Sequence, residues 1–133
     1  MVNNTIAFLL ARLAIGASMF GHGLVRLPKL NKFSEWMVGT FEHSIIPKAL
    51  VTPFSYVVPI VEFAIGGMLI LGLWTKAALI IGAALMVSLI FGSCMIENWD
   101  IITPQLIHTA FFTVLLNYVS TYNTFAIDKL IAK

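Results

Sequence analysis

Two ionisable residues sit inside long apolar runs, and they limit what this chain can fold into more than any other feature. Glu62 is the only charge between Phe54 and Leu73, and Arg12 is the only charge between Thr5 and Val25. A charged side chain at the centre of a bilayer costs at least ~2.5–3.5 kcal/mol on insertion scales. Two opposite charges on neighbouring spans offset that cost by pairing. The runs are therefore expected to lie side by side, holding something polar at depth.

The chain has 133 residues, of which 59% are hydrophobic and 11% charged. Soluble domains hold about 45–50% apolar and about 25% charged residues, so this composition excludes a soluble core. Apolar runs over 5–27, 53–73, 77–96 and 104–122 are continuous rather than alternating, which predicts helices and not barrel strands. The expected fold is an all-α membrane protein, a single domain over 1–133 built as a four-transmembrane-helix bundle. Thr52-Pro53 and Thr103-Pro104 read as helix starts, with Thr as N-cap and Pro in the first turn. Trp74, Trp99 and Tyr122 fall at span ends, where aromatic rings favour the headgroup region. The N-terminal run lacks a basic flank and is interrupted by Arg12, so it reads as a retained span rather than a cleaved signal.

The long connection after the first span is patterned. Phe33, Trp36, Met37, Phe41 and Ile45 recur at three- and four-residue spacings, which predicts a short amphipathic helix over about 31–46. It either lies in the interface or packs on the bundle, and in both cases it caps one mouth. Rows of small residues, Ala84/Ser88/Gly92 and Ala17/Gly21, suit close helix contacts or a homodimer seam. Basic residues number three on the terminal side (Lys76, Lys129, Lys133) and four on the long-loop side (Arg26, Lys29, Lys32, Lys48), too even a split to set orientation.

Helical rise places Arg12 ~10 Å from the terminal side and Glu62 ~13 Å from the opposite side, which leaves ~6 Å between them in a ~30 Å core. An Arg12–Glu62 pair is therefore expected, either as a proton-handling centre or as a purely structural lock. His22 and His108 fall ~7 Å and ~6 Å deep on the long-loop side, accompanied by Gln105. This polar mouth suits the head of a quinone, with Glu62 and Arg12 as the reactive pair and His22, His108 and Gln105 as ligand-binding residues. Neither histidine has ligand spacing around it, so no metal is expected. The chain carries no flavin, NAD or iron–sulfur motif. Cys94 is the single cysteine, which leaves no dithiol within the chain. Asn117 is expected to hydrogen-bond between helices. No basic run suggests nucleic acid.

The stretch Arg12-Leu13-Ala14-Ile15-Gly16, continuing to Phe20, His22, Gly23 and Leu27, resembles the opening of DoxX-family membrane proteins. So do Val61-Glu62-Phe63 with Gly66-Gly67, then Leu71-Gly72-Leu73 and Thr75-Lys76. The ending Asn123 to Leu130 is similar to that family's G-x-x-S-L-D tail, with Ala126 where Ser is usual. The resemblance implies a four-helix, multi-pass protein of the bacterial inner membrane, similar to the small subunit of a thiosulfate:quinone oxidoreductase. Its expected partners are the lipid bilayer and other membrane or redox subunits, or further copies of itself. Two functions follow as expectations. One is a quinone-facing subunit of a membrane oxidoreductase. The other is a non-catalytic accessory or scaffold subunit of a larger inner-membrane complex. A small transporter is a third, weakened by the lack of an inverted repeat.

Overall fold

A computed structural model of the chain describes residues 1–132, which leaves Lys133 outside the described residues. Among the described residues the α-helices run in the order α1 (Val2–Arg26), α2 (Leu30–Thr40), α3 (Lys48–Leu71), α4 (Thr75–Met95), α5 (Ile102–Tyr122) and α6 (Ile127–Ile131). Four helices are long and apolar enough to cross a membrane, as composition predicted, and the chain is an integral membrane protein. The two Thr-Pro starts fail. α3 begins at Lys48 with Pro47 as N-cap and runs through both Pro53 and Pro59, and α5 begins at Ile102 without a side-chain cap. Apolar packing and membrane burial of the backbone keep α3 helical across prolines that would end a helix in water.

Glycine sets the register of α1 against α3. A Cβ added at Gly23 would sit 2.4 Å from Phe63 N, and one at Gly66 would sit 2.2 Å from Phe20 N. Gly16 lies against Leu69 and Ile70 in the same way. Backbone therefore meets backbone along an antiparallel seam, with residue 23 facing 63 and residue 20 facing 66. Gly21 and Gly67, part of the small-residue signal in the sequence, take no such part. On α4 the expected Ala84/Ser88/Gly92 row is not a bundle seam either. Ala84 and Ser88 are exposed, while Gly92 receives the Phe41 ring and Gly82 receives the Phe112 ring.

The segment between α1 and α3 is helical over Leu30–Thr40 only, shorter than its apolar spacing suggested. It folds back along the first half of α3 rather than lying free of the bundle. Ser55 Oγ donates to Ser34 Oγ at 2.7 Å and Tyr56 Oη to Asn31 Oδ1 at 2.9 Å. Met37 is buried on this face and Trp36 is 60% exposed. Of the two placements the pattern allowed, the packed one holds.

α3 ends in a glycine-terminated cap. Gly72 is left-handed (φ 67°), Leu73 N donates to Met68 O, and Gly72 N donates to Leu69 O. This is the paired closure of a Schellman motif, for which a residue with a Cβ pays a conformational penalty. A Cβ at Gly72 would also strike Ala126 and the Arg12 guanidinium, so the same residue makes room for the second polar centre.

Candidate functional site

The polar groups form two separate centres. Arg12 is 2% exposed and Glu62 3%, so both are buried as expected. They do not pair. The glycine seam faces residue 62 with about residue 24, two residues before Arg26, and carries Arg12 to the level of the α3–α4 turn. Ten residues of α3 separate Glu62 from that turn, ~15 Å along the helix, beyond an arginine's reach. The expectation failed because depth was counted from the edges of apolar runs. Those edges slide when α3 starts at Lys48 and helix contact fixes the register.

The first centre lies on the terminal side and ties the last residues to the bundle. Arg12 Nη1 donates to Asn123 Oδ1, and Nη2 donates to Phe125 O at 2.7 Å. Asn123 Nδ2 donates in turn to Thr75 Oγ1 at 3.1 Å. The Asp128 carboxylate accepts from the backbone N–H groups of Trp74 and Thr75, the first positions of α4, and Asp128 N donates to Gly72 O at 2.9 Å. α4 has no cap of its own, so a carboxylate more than fifty residues away supplies it. Burial alone would raise the Asp128 carboxyl. The Thr75 and Trp74 hydrogen bonds and the Arg12 charge outweigh that and hold it below its ordinary value. The Asn123-to-Asp128 tail noted in the sequence is thus a structural strap. Arg12 Nε is the one buried side-chain polar atom without a partner among the described residues.

The second centre lies under α2. Glu62 pairs with Arg26, which the sequence reading had counted only as a loop-side charge. Nη1 of Arg26 donates to both carboxylate oxygens, at 2.9 Å and 2.8 Å, instead of forming a two-nitrogen fork. The guanidinium also stacks on the Phe33 ring at 4.7 Å. His22 and His108 meet edge to face with ring centroids 6.2 Å apart, as their shared side predicted. His22 Nδ1 donates to Ser18 O, and His108 Nδ1 donates to Pro104 O, both at 2.7 Å. A carbonyl only accepts, so in each neutral ring Nε2 is left as an acceptor. At His108 that acceptor is taken by Ser18 Oγ at 2.8 Å. Gln105 pairs with Ser93 on α4 at 3.0 Å.

These groups bound a cavity of about 310 Å³ between α3 and α4, floored by α1 and α5 and covered by α2. The cavity touches Arg26, Glu62, His22, His108 and Gln105 together; Arg12 is absent from it. The sequence therefore located four of its five candidates in one place and missed Arg26. The signal that could have found Arg26 is the glycine spacing Gly16/Gly23 on α1 against Gly66 on α3. Asn117, expected between helices, faces outward with no partner among the described residues. No group of three His, Cys, Asp or Glu residues that could hold a metal occurs among the described residues, and Cys94 is a free, partly buried thiol.

Comparison with known proteins corrects the DoxX resemblance. No curated protein and no solved structure matches the chain. The sequence model of a different membrane-protein family, described as methylamine utilisation protein MauE, matches residues 4–101. The match covers α1 to α4 and four of the five helices around the cavity. Of the motifs that suggested DoxX, Gly16, Gly23 and Gly66 build the α1–α3 seam, Arg12 holds the strap and Glu62 pairs with Arg26. By this match over most of its length, the chain belongs to the MauE family.

Proposed function

We propose that this chain is a non-catalytic accessory protein of methylamine utilisation, resident in the bacterial inner membrane and acting through other subunits of that system. The MauE match over residues 4–101 carries the reading. The chemistry of the two centres supports it. Arg12 is consumed in holding the strap, and both Glu62 oxygens already accept from Arg26. A carboxylate closed in this way is a poor proton relay. The chain offers a single cysteine and so no internal dithiol.

Deletion and complementation in a bacterium growing on methylamine test the proposal. Loss of the chain should abolish growth on methylamine and lower the amount of active amine-oxidising enzyme, with growth on other carbon sources intact. A Glu62→Gln variant present at normal level should restore growth. Failure of a stable, normally abundant Glu62→Gln protein to restore it would contradict the accessory role and favour a catalytic one.

A further inference from the structure

We propose that the cavity under α2 binds the head ring of a neutral, membrane-dissolved amphiphile of the quinone class. This inference does not rest on the accessory role; it stands on the cavity itself. A volume of about 310 Å³ is at the small end of ligand pockets, room for one ring rather than a large headgroup. Phe33 and Trp36 from α2, Phe41 just after it and Phe54 from α3 line it, and flat aromatic walls favour a planar guest.

Charge narrows the class. Arg26 and Glu62 sum to zero, and each histidine donates Nδ1–H to a backbone carbonyl. An anionic head would meet Glu62, and a cationic head would meet Arg26, each without a free counter-charge. A neutral head meets usable groups. Arg26 spends only Nη1 on Glu62, and its Nε and Nη2 donate to no protein atom among the described residues. These are donors for a ring carbonyl. His22 lies one turn earlier on α1 and offers a free Nε2 acceptor, suited to a ring hydroxyl. A quinone presents carbonyls when oxidised and hydroxyls when reduced, so the pair matches both forms.

The cavity also has a route for a tail. Ser88 on α4 lines it and is exposed on the outer face of the helix. It lies seven residues before Met95, ~10 Å inside the end of the span. The cavity wall at Ser88 is thus at the depth of lipid chains. A guest could enter sideways from the membrane, ring first under α2 and tail between α3 and α4.

Trp36 provides the test, because a quinone ring quenches an adjacent indole. The full chain, purified in detergent, is titrated with a decyl-tailed ubiquinone analogue while tryptophan emission is followed. Saturable quenching is expected, and Trp36→Phe should remove most of it. Decanoate and decyltrimethylammonium at the same concentrations should not compete. The double variant Arg26→Gln with Glu62→Gln keeps the site neutral but removes the guanidinium donors, and should weaken binding at least tenfold. Ser88→Phe adds a ring to the cavity wall from an exposed position, and should do the same while leaving thermal unfolding unchanged. Non-saturable quenching, quenching that persists in Trp36→Phe, equal competition by either charged amphiphile, or full-strength binding by folded Ser88→Phe would overturn the proposal.

Discussion

The strap around Arg12 and the cavity around Glu62 are both buried polar centres, yet they are satisfied to different degrees. At the strap, Asn123, Thr75 and Asp128 are hydrogen-bonded in sequence, and Arg12 is held by two acceptors, one of them a backbone carbonyl. At the cavity, one arginine nitrogen carries the whole ion pair and the other donors are idle. A polar network engaged on nearly every group, with only Arg12 Nε left over and no cavity beside it, fixes a fold. One with spare donors beside an open volume is prepared for a guest. Burial of a charge does not by itself mark function; unused hydrogen-bonding capacity that faces an open volume does.

Substitutions can break this contrast, and the strap should give the largest effect. Arg12→Met removes the donors on which Asn123 and Phe125 O depend, leaving buried acceptors unpaired. It should cost about 2–5 kcal/mol in detergent unfolding, from about 1–3 kcal/mol for each of the two acceptors left unsatisfied. The glycine seam should come next. Gly66→Ala drives a methyl against the Phe20 backbone, where nothing flexible can yield, and should cost about 1–3 kcal/mol and loosen both centres together.

Asp128→Asn weakens the distant cap on α4 and should cost about 0.5–2 kcal/mol. Its signature is a pH dependence. The folded-state carboxyl is held below its ordinary value, so the unfolded chain binds the proton more readily. The stabilisation is complete above the unfolded value of about 3.9 and is lost as pH falls through the lower folded value. Unfolding followed from pH 6 downward should show an acid-side loss that Asp128→Asn reduces. The smallest effect belongs to Asn117→Leu. That side chain is exposed without a partner, so stability should stay within about 0.5 kcal/mol.

The four spans were legible because composition and continuous apolar runs report membrane burial directly. The side on which His22, His108 and Gln105 gather was legible too, since an alternating up-down path fixes it. Partner choice at the ion pair was not. It depends on the sliding of α1 along α3, set by three glycines whose effect is a contact distance rather than a hydropathy. The same error hid Arg26, which lies at the very end of the first apolar run yet reaches Glu62, while Arg12 lies deep within it and reaches the turn after α3. The tail motif was visible as a pattern, but its role as a cap on α4 required the fold. The family was not legible from those motifs, which serve the glycine seam, the strap and the ion pair of this bundle.

A pair of double-mutant cycles tests the separation of the two centres most directly. Unfolding free energies in detergent would be measured for Glu62→Gln, Arg26→Met, Arg12→Met and the two doubles that contain Glu62→Gln. Groups that touch couple, and groups more than 7–10 Å apart with no shared partner add to within about 0.5 kcal/mol. The structure predicts coupling of more than about 1 kcal/mol between Glu62 and Arg26, and additivity between Glu62 and Arg12. Strong coupling of Glu62 to Arg12, with none to Arg26, would contradict the two-centre arrangement.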